Sequence, residues 1–242
     1  MNKMKKFFSI ILLAAAAVSA SSCVYIRINP GDFGDFKKDL VVGSSNMESR
    51  TYTVPQFTGI DSTIPADIDY SMTEGEPTVT VNAPDNLIGQ LNFQVVDGIL
   101  KVCFDDGDKR VNIGSNGIKV KVSSATLESL AIRGAGDFDA VSGIDCSSFE
   151  VNISGAGDVT LNDVRCEEGL TVLVYGAGDI DVNGLTAKTV RVDVNGAGDV
   201  VLSGACGSAD LSIKGAGDID ARRLDCPSIT SNVSGMGSIK RK

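Results

Sequence analysis

Five aspartates recur at nearly even intervals: Asp137, Asp158, Asp179, Asp199 and Asp218. Each closes a Gly-Ala-Gly-Asp tetrapeptide. The first glycines of these corners are Gly134, Gly155, Gly176, Gly196 and Gly215, and the second are Gly136, Gly157, Gly178, Gly198 and Gly217. Carboxylates repeated in this way have two chemistries open to them. They can ligate a hard cation, since calcium takes several carboxylate oxygens. They can instead accept backbone N–H bonds at a corner, as local Asx-type motifs do. Turn aspartates are far commoner than metal sites, and the spacing departs from the nine-residue calcium roll, so corner chemistry is the expected role. A weak cation-binding ladder is the alternative. Two carboxylates stacked ~4.8 Å apart repel by about 1 kcal/mol in bulk water, so something must offset the charge.

Other constellations are weaker. Gly-Ala-Gly-Asp looks superficially like a phosphate loop, but such a loop opens a helix, and here every copy leads into a strand pattern. Arg222-Arg223 beside Asp220 reads as a solvated corner. Cys146, Cys166, Cys206 and Cys226 share nearly the same slot, with Ala187 filling it in the third repeat. Interchange of Cys with Ala marks a small side chain facing a core. The rival reading is disulfides between neighbouring coils, Cys146–Cys166 and Cys206–Cys226. Stacked parallel residues aim their Cβ vectors alike, which favours reduced, buried thiols. With no histidine and no Cys-x-x-Cys spacing, a zinc site is not expected, and no cofactor is implied.

The elements that position these residues follow from the repeat. The first glycines, continued by the degenerate Gly235-Met236-Gly237-Ser238, are 21, 21, 20, 19 and 20 residues apart. A period near 20 marks a solenoid, whose units bury their apolar faces against one another. Period-2 alternation runs through Ile132, Gly134, Gly136, Phe138 and Ala140, and through Ile153, Gly155, Gly157, Val159 and Leu161. It runs likewise through Val174, Gly176, Gly178, Ile180 and Val182. Alternate side chains of a strand share one face, so these positions point inward through a bent strand, with glycine on the inside of a sharp corner. A second strand follows each break in parity, as in Phe149-Val151-Ile153 and Leu170-Val172-Val174, with a short segment around Ile144, Val164, Leu185 or Leu224 between. No segment here sustains a 3.6-residue period. The fold class is therefore all-β, a single-stranded parallel β-helix of about 20 residues per coil, with rungs ~4.8 Å apart and right-handed winding expected from parallel crossovers.

The N-terminus reads as an address. Lys3, Lys5 and Lys6 precede an apolar stretch from Phe7 to Val18 that is too short to span a bilayer. Val18-Ser19-Ala20 suits signal peptidase, whereas Ala20-Ser21-Ser22-Cys23 resembles a lipobox, cut before Cys23 and lipidated on its thiol. The position of Cys23 just after the apolar stretch favours the lipobox, although Ala20 stands where Leu is commoner. Removing 1–22 takes three lysines and no acids from a chain with 22 basic and 31 acidic residues, leaving a net charge of −12. That acidity argues against nucleic acid and anionic lipid as partners. The expected organisation is a signal peptide at 1–22, a lipidated cysteine and tether at 23–48, and a β-helix at 49–242. Within the last, 49–130 form irregular first coils and an N-terminal cap, and 131–242 carry the repeats. Asp97-Gly98 signals a two-residue hairpin turn, and Asp105 to Asn116 reads as an exposed loop.

The opening Phe57-Thr58-Gly59-Ile60, the Val96-Asp97-Gly98-Ile99-Leu100 turn and corners such as Ile153 to Asp158 together resemble a bacterial family, the putative auto-transporter adhesins with a head GIN domain. The resemblance runs from about Ser49 to Lys240. It implies a right-handed β-helix on exported proteins or lipoproteins, with no assigned catalytic residue. The leading expectation is a non-enzymatic, lipid-anchored scaffold or adhesin of the cell envelope, placed on the outer membrane. Its partner would be a glycan or a matrix or envelope protein, and its membrane contact the lipid alone. The alternative is a polysaccharide-active enzyme of pectin-lyase-like architecture, but aromatics are 5% of the chain and the aspartates follow the repeat rather than cluster. The closing Lys240-Arg241-Lys242 reads as charge that discourages strand addition, hence a monomer.

Overall fold

The computed structural model describes residues 40–105, 110–113 and 117–242. Cys23 and the two candidate cleavage sites lie outside the described residues. The strands are β1 (Leu40–Val42), β2 (Met47–Thr53), β3 (Gly59–Ser62), β4 (Asp67–Met72) and β5 (Thr78–Pro84), followed by one helical turn, α1 (Asp85–Ile88). There follow β6 (Leu91–Val96), β7 (Ile99–Phe104), β8 (Arg110–Asn112), β9 (Lys119–Ser124), β10 (Ser129–Ile132) and β11 (Phe138–Ala140). The repeats supply β12 (Ile144–Ile153), β13 (Val159–Asn162), β14 (Val164–Val174), β15 (Ile180–Val194), β16 (Val200–Ile213), β17 (Ile219–Asp225), β18 (Ile229–Val233) and β19 (Ile239–Arg241).

Parallel pairing from rung to rung makes this a β-solenoid. On one face Glu150 pairs with Ser129, Thr171 with Glu150, Arg191 with Thr171, Asp210 with Arg191 and Thr230 with Asp210. A second face runs through Phe138, Val159, Ile180, Val200, Ile219 and Ile239. A third runs through Ile144, Val164, Leu185, Gly204 and Leu224, in strands that up to β16 continue into the first face, and its register slips just after Cys146 and Cys166. The slip is a bulge, which turns the chain from one face to the next.

The inward parity read from the sequence is the parity of the core. Ile132, Phe138, Ala140, Ile153, Val159, Leu161, Val174, Ile180 and Val182 are all buried, as are Ile144, Val164, Leu185 and Leu224. Burying such side chains is worth about 1.5–3 kcal/mol each before chain entropy is counted, and repetition spreads that evenly along the axis.

The first coils are stacked out of chain order. Strand β3 is flanked by β7 and β10, both parallel, and β4 by β9 and β11. The rung β7–β9, made later, therefore lies outside the rung β3–β4, made earlier. Beyond it the pairing turns antiparallel: β6 lies on β7, β5 on β9, and β2 on β5. The helical turn α1 joins β5 to β6 with Leu87 and Ile88 fully buried, closing this end of the core. The β6–β7 hairpin turns through Asp97 (φ 51°) and Gly98 (φ 76°), the two left-handed residues a type I′ turn requires. Part of the 105–116 stretch expected as an exposed loop forms β8, which pairs with β1 in a separate two-stranded sheet. Among the described residues no helix is long and apolar enough to cross a membrane.

Candidate functional site

The corners are held by close approach. A Cβ placed on any first or second corner glycine from Gly134 to Gly237 would lie between 1.8 and 2.2 Å from a carbonyl oxygen of the preceding rung. The second glycines Gly136, Gly157, Gly178, Gly198 and Gly217 are buried, and the first glycines Gly134, Gly155, Gly176, Gly196 and Gly215 are half-buried. The clash passes along the column. A Cβ on Gly178 would meet the carbonyl oxygen of Gly157, one on Gly198 that of Gly178, and one on Gly217 that of Gly198, each at 2.1 Å. Glycine is therefore demanded by the neighbouring coil, and not by the inside of the bend as the sequence alone suggested. None of these glycines sits at positive φ. The gain is a ladder of main-chain bonds, in which the N–H groups of Ala156, Ala177, Ala197 and Ala216 donate to the carbonyls of Gly134, Gly155, Gly176 and Gly196 at 2.9–3.0 Å.

The aspartates complete that ladder. Oδ1 of Asp137 accepts the N–H of Asp158 (3.0 Å), Asp158 that of Asp179 (2.9 Å), Asp179 that of Asp199 (2.8 Å) and Asp199 that of Asp218 (2.8 Å). The donor comes from the next rung, so this is not the local Asx turn expected. Each N–H places partial positive charge between successive carboxylates, which offsets their repulsion. The ladder ends at Ser238, which donates its N–H (2.8 Å) and its hydroxyl (3.0 Å) to Oδ1 of Asp218 while Lys240 Nζ reaches Oδ2 at 3.0 Å. A last rung only donates, so serine serves there. Lys240 holds the Asp218 carboxyl below the usual carboxylate range, and Arg222 does the same to Asp220 through a two-pronged contact with Nε at 3.0 Å and Nη2 at 2.6 Å.

The pairing Ile68–Phe138 sets Asp67 beside Asp137, in the slot of the ladder on the rung before the repeats. Sequence reasoning passed over it because Ile64-Pro65-Ala66 replaces Gly-Ala-Gly. Ile64 and Ala66 keep their side chains, both 2% exposed. Among the described residues no cluster of three or more acidic or thiol side chains converges to hold a metal ion.

Two further features stand apart from the corners. On the first face Asp61, 7% exposed, is held between Lys101 Nζ (2.8 Å from Oδ2) and Arg133 Nε (3.0 Å from Oδ1). The arginine contact is ionic, since Oδ1 receives no well-aligned hydrogen bond. On the same face a shallow cleft of about 690 Å³ opens at the bulges, lined by Glu128, Ser148, Glu150, Gly169, Thr171 and Thr189 among others. Its polar lining suits hydrogen bonding to hydroxyl groups. The strand forming its floor runs on to Tyr175, 55% exposed and the one exposed aromatic among the described residues.

The cysteine column lies as its parity required. Cys146, Cys166, Ala187 and Cys206 are buried and Cys226 is partly so. The Sγ atoms of Cys146 and Cys166 are 3.5 Å apart. Burial pushes the Cys206 thiol up to about 12.

Stacked parallel rungs, glycine corners and a carboxylate on every rung define a single-stranded β-solenoid. The model of the family described as "Putative auto-transporter adhesin, head GIN domain" matches residues 56–172 and 163–241, and the chain belongs to that family. The chain is also similar in fold to solved structures. One is a putative adhesin from Bacteroides fragilis (TM-score 0.68, 23% identity, 84% of this chain and 100% of that one). Another is a putative adhesin from Parabacteroides distasonis (TM-score 0.60, 18% identity, 84% and 100%). A third, from the same species, is described as a putative lipid binding protein (TM-score 0.52, 19% identity, 84% and 99%). No curated protein matches the chain.

Proposed function

We propose that this protein is an exported, non-enzymatic adhesin, anchored to the outer membrane by a lipid on Cys23, that presents its first face to a glycan. The observation that carries the reading is the pairing of a polar cleft with an exposed ring on one strand. The cleft is lined by serine, threonine and glutamate, which bond sugar hydroxyls, and Tyr175 stands four residues beyond Thr171, about 13 Å along the strand. An exposed aromatic ring gives the apolar face of a pyranose a platform, and the carboxylates fix its hydroxyls. Glu128, Glu150 and Glu168 at the cleft, on a mature chain of charge −12, disfavour uronates and other acidic sugars and favour a neutral glycan. The rigid rungs set these groups at fixed heights, which suits repeated, multivalent contact. The family membership supports adhesion over catalysis.

A glycan array with the full-length protein tests the partner. Retention of neutral glycans that is lost in both Tyr175→Ala and Glu150→Gln, with melting temperatures unchanged, supports the reading. Cleavage of any polysaccharide, or binding that ignores both substitutions, overturns it. Anchoring has its own test. Cys23→Ala should release the protein from membranes and abolish acyl labelling, and an unlabelled wild-type protein that starts at Ser21 sinks that part.

A further inference from the structure

The third face carries a column that reads Cys146, Cys166, Ala187, Cys206, Cys226, one residue per rung. Register places Cys146 beside Cys166 and Ala187 between Cys166 and Cys206, and the pairing of Ala205 with Asp225 brings Cys226 beside Cys206. Four thiols in an unbroken stack would pair in several ways. Alanine at the middle rung divides them into two pairs and leaves each thiol a single neighbour. We propose that Cys146–Cys166 and Cys206–Cys226 are two cross-rung disulfide sites, closed by exchange with a disulfide-bearing oxidant of the exported compartment.

The geometry of the first pair is close to what a bridge needs. The two Sγ atoms, already 3.5 Å apart, must approach to about 2.05 Å. Perfectly stacked Cβ atoms would resist that. Here the register slips directly after the cysteine, between Cys146 and Ser148 and between Cys166 and Gly169, so both strands are at a bulge where the backbone can tilt one Cβ toward the other. Either thiol can donate the Sγ–Sγ hydrogen bond, and with Cys146 as donor the Cys166 thiol is lowered and becomes the readier nucleophile. In the second pair Cys226 is only partly buried and offers the oxidant an entry.

The exchange balances. One cysteine, as thiolate, attacks a sulfur of the oxidant disulfide and expels the other oxidant sulfur as a thiolate. The second cysteine loses its proton to solvent, attacks the protein sulfur of the mixed disulfide, and expels the remaining oxidant thiolate. Two protein thiols lose two electrons and two protons to form one S–S bond, and the oxidant disulfide becomes two thiols. The bridges join rungs near the two ends of the repeat array. Repeat arrays open rung by rung from their ends, so bridges there resist fraying.

The oxidant is supplied by export and so rests on the function proposed above, but the sites do not. Full-length protein recovered from the envelope, and full-length protein purified under reductant and then incubated with glutathione disulfide, are each denatured, alkylated without reductant and mapped as peptides. Cys146 linked to Cys166 and Cys206 linked to Cys226 in both samples is the expected result. Links that form with glutathione disulfide but are missing from the envelope sample support the sites and count against export. Alkylation of all four cysteines in both samples overturns the proposal, and so does a Cys166–Cys206 link. Cys166→Ser should leave Cys206–Cys226 intact and Cys146 alkylated. Reductant should lower the melting temperature of the oxidised wild type by several degrees and leave a variant with all four cysteines changed to Ser unmoved.

Discussion

The N–H of Asp179 donates to Oδ1 of Asp158 at 2.9 Å, one rung away, so each aspartate of the ladder is held by its neighbour's backbone. The side chain thus stands where a main-chain carbonyl would stand in an ordinary strand. Asp179→Ala removes the acceptor for the N–H of Asp199 and should destabilise by about 1 kcal/mol. Asp179→Asn keeps an acceptor oxygen and removes a charge, so it should change stability by less than ~0.5 kcal/mol. Urea denaturation of both variants distinguishes a hydrogen-bond ladder from a calcium site. Equal, large losses in the two variants that appear only with calcium present would reverse the assignment.

Corner glycines should be intolerant of even one carbon. A Cβ on Gly155 would lie 1.8 Å from the carbonyl oxygen of Gly134, so Gly155→Ala must push two rungs apart and should cost roughly 3 kcal/mol or more. Gly98, at φ 76° with nothing within 4 Å of a Cβ, gives the contrast: Gly98→Ala pays only backbone strain, about 1 kcal/mol. Thermal melts that rank the two the other way would show that the rungs are looser than the ladder implies.

Asp61 is buried between two cations, and their effects should be coupled. Lys101→Met leaves Arg133 in place and should cost about 1 kcal/mol. Removing Lys101 and Arg133 together leaves the carboxylate without a counter-charge and should cost about 3 kcal/mol or more, beyond the sum of the single changes. A double-mutant cycle that is additive within error would mean the triad contributes no more than surface charges do.

Acid should loosen the C-terminal rungs first. Asp218 and Asp220 are both depressed in the folded protein, by Lys240 and Arg222 respectively. A depressed carboxyl contributes stability that is present above its unfolded pKa, about 3.9, and that is lost as pH falls through the lower folded value. Amide protection at Ile219 to Lys240, taken relative to the intrinsic exchange rate at each pH, should therefore fall below about pH 4, and Lys240→Met should narrow that dependence by relaxing Asp218. Salt screens these exposed pairs, so the effect should shrink at high ionic strength. Protection that falls uniformly along the solenoid would place the acid response elsewhere.

Much of this molecule is local, and the sequence alone determined that much. Alternation through Ile153, Val159 and Leu161 names the inward face because side chains of a strand must alternate, and a 20-residue recurrence names the coil because each unit needs a neighbour to bury against. The hairpin at Asp97-Gly98 was legible for the same reason, since two residues suffice to set it. What only the tertiary structure decided is which coil each residue meets. Nothing local in Gly59–Ser62 says that it pairs with both Ile99–Val102 and Ser129–Ile132, so the inverted stacking of the first rungs was hidden. The role of Asp158 was half-visible: its type marked an acceptor, but its donor lies 21 residues on, at Asp179. The corner glycines were recognised and their reason mistaken, because the atom that excludes a Cβ on Gly155 belongs to Gly134, and those that exclude one on Gly178, Gly198 and Gly217 belong to Gly157, Gly178 and Gly198. Asp67 was missed altogether, since a slot in a ladder is assigned by strand register across space, which a local motif does not encode.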